Sequence, residues 1–301
     1  MTRAARELGV SPGAISHQIR QLEEFLGVRL FLRETRKVSL TSAGRTFLPA
    51  ITRGLDAIEE AAKRLTTVPQ HSRVRVSVET TLAERWLVPR LAHFYKSYPE
   101  IEIELQGRPL DPEAAAFRTN FAVAYGPRQY HGLSVERMMS EAVFPVCSPA
   151  FQERHGLYQV ADLDQSVRLL HDQTFGRYNW FPNWQVWLAK HGMHDVDTSQ
   201  GMRFGTSHMA IVAASDGLGL ALGRGALVEN DLKSGTLIAP FGVDQSFVFD
   251  YQTVGLQAVI EEPDVALFRE WLVEEGHRSS ANRLATPAAR TASADALPDH
   301  S

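Results

Sequence analysis

Two groups of side chains in this 301-residue chain have the types and spacing to do chemistry, and neither resembles a catalytic set. The first is Ser11, Pro12, Gly13, Ser16, His17 and Arg20, followed by the basic residues Arg33, Arg36 and Lys37. Hydroxyl, imidazole and guanidinium groups three and four residues apart share one helix face, from which they can reach base edges. A short loop of cations suits phosphates instead. The second group is a set of hydroxyls: Thr80 with Thr81, Thr206 with Ser207, and Tyr125. The Thr and Ser pairs stand at strand-to-helix junctions, where free N–H groups favour a bound anion, although the same hydroxyls serve equally as plain helix caps.

Other candidates carry less. Gly217, Gly219 and Gly223 follow a helix and lead into a strand, the reverse of a dinucleotide-binding loop. His191 and His194 have no further ligand nearby and read as surface histidines of a loop. Trp180, Phe181, Trp184 and Trp187 read as packing for a second lobe. The single cysteine, Cys147, excludes an internal disulfide and reads as a small buried apolar residue. No enzyme activity, metal or cofactor is expected.

The elements that must position these groups are legible in the pattern. Thr2 to Leu8 has Ala4, Ala5 and Leu8 on one helix face, and Gly9 stops it. Ser11-Pro12 starts a second helix as N-cap and first helical residue, Ile15, Ile19, Leu22 and Leu26 form its apolar stripe, and Gly27 ends it. Two short helices joined by a Gly-containing turn make a helix-turn-helix, whose second helix fits a major groove. Leu30-Phe31 and Val38 to Leu40 read as strands of a wing around Arg33, Arg36 and Lys37.

From Thr41, a plausible cap, Phe47, Ile51, Leu55, Ile58, Ala62 and Leu65 make a nearly heptad seam suited to pairing with a second copy, with a kink expected near the internal Pro49. Charge follows the same division. Residues 1–53 hold nine Lys/Arg against four acids, so this stretch is net +5 and the remainder −9. A basic head that meets a polyanion and an acidic body with a separate task follow from that split.

In the body, Arg73 to Val78, Ile101 to Leu105 and Phe121 to Tyr125 read as strands. A helix containing Trp86, Leu87, Leu91 and Phe94, and another over Asp111 to Phe117, alternate with them. This order implies a parallel sheet covered by helices. Ala142 to Val146, Leu169 to His171, Gly217 to Leu222 and Phe247 to Thr253 read as further strands, Trp184 to Lys190 and Ser207 to Asp216 as helices, and Pro263 to Glu275 as a closing helix. Two such α/β lobes enclose a cleft, and ligands in open α/β sheets bind beyond the carboxyl ends of the strands. The hydroxyl pairs, one per lobe, would then face each other across it with Tyr125 alongside, around an anionic or amino-acid-like effector.

AARELGVSPGAISHQIRQLEEFLGVRLFLRETRKVSLTSAG resembles the winged helix-turn-helix of LysR-type transcriptional regulators, through helix, wing and linker helix without a gap. LAERWLVPRLAHFYKSYPEIEIEL, FPVCSPAF and FGTSHMAIVAASDGLGLALGRGAL are similar to the effector-binding domain of the subgroup that includes the glycine cleavage system activator and the β-lactamase regulators. The resemblance covers residues 1 to about 278. It implies a multidomain protein, an all-α winged helix-turn-helix plus linker helix followed by a two-lobed α/β, periplasmic-binding-protein-like effector domain. The implied partners are double-stranded operator DNA, a small-molecule effector such as an amino acid or other small carboxylate, and a second or further copies of the chain.

The expected boundaries are 1–41 for the winged head, 42–67 for the dimerising linker helix, and 72–278 for the effector domain. Its first lobe takes about 72–145 and 247–278, its second about 146–246, and 279–301 reads as a disordered tail. Pro12 and His17 depart from common family residues, which implies a different base preference. Asn120 to Tyr125 lacks the Asp and Arg usual in the subgroup. The family pattern has another helix ahead of MTRAARELGV, so the head reads as N-terminally incomplete. The alternative expectation is a sensor with impaired or no DNA binding. No stretch approaches the ~20 apolar residues of a membrane span and no signal peptide is evident, so the cytoplasm is the expected location.

Overall fold

The structure, a computed structural model, describes residues 2–33, 38–66, 73–107, 111–176, 178–243 and 247–285. The chain divides into two units, Met1–Val68 and Pro69–Ser301.

In the first unit, α1 (Thr2–Glu7) and α2 (Pro12–Leu26) precede β1 (Phe31–Arg33), β2 (Val38–Leu40) and the long α3 (Ser42–Thr66). Local chemistry sets each boundary. The Ser11 hydroxyl accepts from the Ala14 N–H at 3.2 Å, Pro12 occupies the first turn, and Gly27 closes α2 with φ +68°. Glu23 Oε1 accepts from the Leu30 and Phe31 N–H groups at 2.7 and 2.9 Å, which fastens α2 to the wing. β1 and β2 pair antiparallel with Phe31 opposite Leu40 and Arg33 opposite Val38. Thr41 caps α3, accepting from the Gly44 N–H at 2.9 Å and donating to the Arg29 carbonyl at 2.7 Å. Pro49 lies inside α3. Within the unit Ala5 and Leu30 are buried. The apolar stripe of α2 departs from expectation: Ile15, Ile19 and Leu26 are only half-buried and Leu22 is exposed.

The second unit runs β3 (Arg73–Val78), a continuous helical stretch over 80–97, β4 (Glu102–Gly107), α6 (Pro112–Ala116), β5 (Phe121–Tyr125) and β6 (Ser134–Val146). The helical stretch comprises α4 (Thr80–Leu82), a π-helical turn Ala83–Leu87 and α5 (Val88–Ser97). The widened turn precedes Pro89, which has no N–H to give the regular ladder. The chain continues with α7 (Pro149–His155), a 3-10 turn Val160–Asp162, β7 (Leu169–Asp172), α8 (Trp184–Lys190) and β8 (Met202–Phe204). Next are α9 (Ser207–Ser215), β9 (Leu220–Arg224), α10 (Gly225–Ser234), β10 (Val248–Gly255), α11 (Gln257–Ile260) and α12 (Pro263–Ala285).

The strands form one sheet in the order β4-β3-β5-β10-β6-β9-β7-β8. β3 is parallel to β4 and β5, and β7 is parallel to β8 and β9. β6 joins the two halves: its first part pairs antiparallel with β10, and Val143 to Val146 pair antiparallel with β9. The sequence shows only the last residues of β6 as a strand, because its first part, with Glu136-Arg137, Met138-Met139 and Ser140-Glu141 as like pairs, breaks the polar/apolar alternation and has Val135 as its one β-branched residue. α7, β8, α10 and α11 are likewise short elements that the pattern did not separate from loops.

Across the halves, Phe94, Phe121 and Phe268 are fully buried in the first, with the Phe94 and Phe268 rings 4.9 Å apart. Trp184 and Trp187 fill the second, and burying such rings stabilises the fold by about 1.5–3 kcal/mol for each. Cys147 is buried at the junction, where desolvation pushes its thiol up to about 12. The expected tail is corrected at its start. α12 continues to Ala285 because Ser279 accepts from Trp86 Nε1 at 3.0 Å inside the core and Ser280 Oγ accepts from the Ser140 N–H at 3.2 Å. Residues 286–301 lie outside the described residues. Among the described residues no helix is long and apolar enough to cross a membrane.

Candidate effector cleft and nucleic-acid face

On α2, Ser11, Pro12, Gly13, His17 and Arg20 are exposed on one side and Ser16 is half-buried. This face is polar, presents an imidazole and a guanidinium, and has the length and diameter of a groove-reading helix. Arg33 is the last residue of β1. Arg36 and Lys37 lie outside the described residues, between β1 and β2.

In the second unit the hydroxyls divide into two sets. Thr81, Tyr125 and Ser207 are buried; Tyr125 and Ser207 contact a side chain absent from the sequence reading, Arg224, and Thr81 contacts its partner Glu79. Thr80 is exposed, and its hydroxyl sits against Gly107 at the end of β4. Thr206 caps α9, accepting from the Met209 N–H at 3.3 Å. The capping of α4 also differs from expectation. Glu79, one residue earlier, is the N-cap and accepts from the Thr81 and Leu82 N–H groups at 2.9 and 3.1 Å, because a carboxylate can serve two orphan donors at once where a hydroxyl serves one.

Arg224 ends β9, is 1% exposed, and reaches from the second half of the sheet into the first. Nη2 donates to Glu79 Oε2 at 2.8 Å and to Ser207 Oγ at 3.0 Å, and Nη1 donates to the Tyr251 hydroxyl at 2.8 Å. The guanidinium lies 5.2 Å from the Tyr125 ring centre and 5.1 Å from that of Phe175. Ser207 Oγ in turn donates to Asp172 in a short hydrogen bond and sits 3.2 Å from Thr174 Oγ1. Asp172 also accepts from the Thr174 N–H at 2.8 Å, and Glu141 accepts from the Ala226 N–H at 2.8 Å.

Electrostatics follow from that arrangement. Burial would raise the Glu79 carboxyl, but the charge and hydrogen bond of Arg224, helped by the Thr81 N–H, hold it below its ordinary value. Burial works against the Arg224 charge too, and the oxygens of Tyr251, Glu79 and Glu141 outweigh it, so the group stays protonated. Burial foremost, with Glu141 next for Tyr125, keeps the Tyr125 and Tyr251 phenols neutral and well above their usual range.

Aromatic rings pack around Tyr125. Trp180 and Phe181 pack on Phe175 of the second lobe as expected, at 5.5 and 5.1 Å, and also reach Tyr125 at 5.6 and 6.4 Å. Gly126 makes this approach possible: with φ +96°, it leaves the space in which a Cβ would come within 2.5 Å of the Trp180 ring. Trp184 and Trp187 do pack the second lobe as expected. His191 differs from a free surface histidine, stacking on Trp187 at 4.0 Å. A charged residue ending the otherwise apolar run LALGR was the sequence signal for Arg224, and the acid immediately before Thr80-Thr81 was the signal for Glu79.

Comparison with known proteins agrees with both units. Residues 1–45 match the bacterial regulatory helix-turn-helix protein, lysR family, and residues 69–276 match the LysR substrate binding domain. The chain is 31% identical over 272 residues to the glycine cleavage system transcriptional activator of Escherichia coli (strain K12), covering 90% of this chain and 87% of that protein. It is 32% identical over 273 residues to the HTH-type transcriptional regulator DsdC of the same organism, covering 90% and 88%. The effector domain of the transcriptional regulator AmpR of Pseudomonas aeruginosa superposes with a TM-score of 0.59 at 26% identity, covering 71% of this chain and all of that domain. A helix-turn-helix with a wing, a two-lobed α/β domain and relatives that are regulators rather than enzymes lead to one assignment: the chain belongs to the LysR family of DNA-binding transcriptional regulators and carries that family's effector-binding domain.

Proposed function

We propose that this regulator reads operator DNA with Ser11, Pro12, Gly13, Ser16, His17 and Arg20 on α2, holds phosphates with Arg33, Arg36 and Lys37 of the wing, and answers to a small molecule in the cleft. Thr81, Tyr125 and Ser207 line the effector site, and Thr80 and Thr206 stand at its helix termini. The effector is an amino acid or another small carboxylate, and the protein works in the cytoplasm as a dimer or higher oligomer. One observation carries the effector half of this reading: a fully buried guanidinium, Arg224, is aimed between the lobes among hydroxyls from both. Desolvating a cation at such a point is costly and suits a place where an anionic group must be received.

The DNA half is tested by binding titrations on specific and random duplexes across a salt series. Alanine at Arg33 or Arg36 should weaken binding to both duplexes and flatten the salt dependence by about one counterion for each cation removed. Alanine at His17 or Arg20 should cost roughly 1–3 kcal/mol on the specific duplex only. Equal losses on both duplexes for all four variants would contradict the assigned roles.

A further inference from the structure

The balance of groups around Arg224 says more about the ligand than its location does. Among the described residues of the cluster, three acidic side chains, Glu79, Glu141 and Asp172, surround this one cation. Glu79 is linked to it directly by the ion pair, and Asp172 indirectly through Ser207, which accepts from Arg224 and donates to Asp172. Arg224 nevertheless keeps an open donor, because its Nε is buried with no hydrogen-bond partner among the described residues. The hydroxyl of Thr81 is buried beside the Glu79 carboxylate, which it helps to keep ionised. A native core leaves few such groups unpaired, and a buried open donor marks a place for an acceptor. A plain carboxylate would satisfy Arg224 Nε but would add a further negative charge to an acidic cluster, at a cost that low local polarity enlarges. A ligand that also carries an ammonium group returns that charge to balance by pairing with Asp172 and Glu79. The Tyr125 and Phe175 rings lie against the guanidinium and can face a cation on the same side.

We infer that the cleft takes a zwitterion, a free α-amino acid whose carboxylate is received at Arg224 Nε and whose ammonium is received at Asp172 and Glu79. This rests on the effector reading above. It narrows that reading, since it sets aside keto acids, hydroxy acids and simple carboxylates as effectors.

Ligand binding to the full chain, followed by thermal shift and calorimetry, tests it with matched triplets: alanine, propionate and ethylamine; phenylalanine, 3-phenylpropionate and phenethylamine; glutamate, glutarate and 4-aminobutyrate. The expected result is that an amino acid binds and that both of its truncated partners bind about tenfold more weakly or not at all, since each lacks one charge-assisted contact. Asp172→Asn removes the charge, keeps one carbonyl oxygen for the Thr174 N–H and turns an N–H donor toward Ser207, so it should shrink the preference for the amino acid over its deaminated partner. A deaminated acid that binds as tightly as its amino acid overturns the zwitterion while leaving the cleft intact, provided Ser207→Ala abolishes that binding. An amino acid whose binding ignores both Asp172→Asn and Ser207→Ala sits elsewhere and overturns both readings. Failure of every triplet overturns the zwitterion.

Discussion

Glu79 performs two jobs that a hydroxyl in its place would not combine. Its carboxylate caps α4 through the Thr81 and Leu82 N–H groups and neutralises Arg224 from the opposite half of the sheet. Removing one partner of a buried pair strands the other charge, so Glu79→Gln should lower stability at neutral pH by about 3 kcal/mol, visible as a lower Tm of the effector domain. Its acid dependence has a defined sign. The folded-state pKa is lowered from 4.5, so the stabilisation is fully present above the unfolded value and drains away as pH falls through the folded one. Wild type should therefore lose Tm more steeply than Glu79→Gln as pH drops below about 4.5. Parallel acid limbs for the two proteins would separate the carboxylate from that stabilisation.

At the scale of elements, the junction of wing and long helix is set by a glycine. A Cβ on Gly44 would stand 2.2 Å from the Leu30 carbonyl and 3.0 Å from a Leu40 methyl, so the first turn of α3 can lie on β1 and β2 only without one. Gly44→Ala should destabilise the head by about 1–3 kcal/mol through this overlap, measured as a loss of DNA affinity alongside a reduced chemical-denaturation midpoint. Gly54, farther along α3 with nothing within 4 Å, is the control, and alanine there should be neutral or stabilising.

Elements with local punctuation were legible in the sequence. Ser11-Pro12 and Gly27 bound α2, Thr41 caps α3, and the β-branched alternation Arg73 to Val78 is β3. The site was half legible for the same reason. Thr81 and Ser207 follow strand-to-helix junctions and Tyr125 ends an apolar strand, all local signals. Arg224 finds its partners at 145, 27 and 17 residues' distance, and no window along the chain shows that. Glu79 was passed over because hydroxyls compete with carboxylates for the cap, and only the backbone geometry decides between them.

At the scale of the molecule, α3 presents an apolar seam that one chain leaves uncovered: Ile51 is 40% exposed, Leu55 61% and Ile58 67%. Such side chains at four- and three-residue spacing on a 25-residue helix are costly in water and are covered most economically by the same helix of a second copy. Two winged heads joined in this way would read two half-sites, with the second contact adding affinity through effective concentration rather than through new chemistry. A charge at the centre of the seam should undo this without touching either head or cleft. For Leu55→Glu combined with Ile58→Lys, sedimentation is expected to show a shift toward a smaller species. Footprinting should show one protected half-site where wild type protects two, and binding in the cleft should be unchanged. A double variant that sediments as wild type would move the self-association surface away from α3, and the effector domain would then have to supply it.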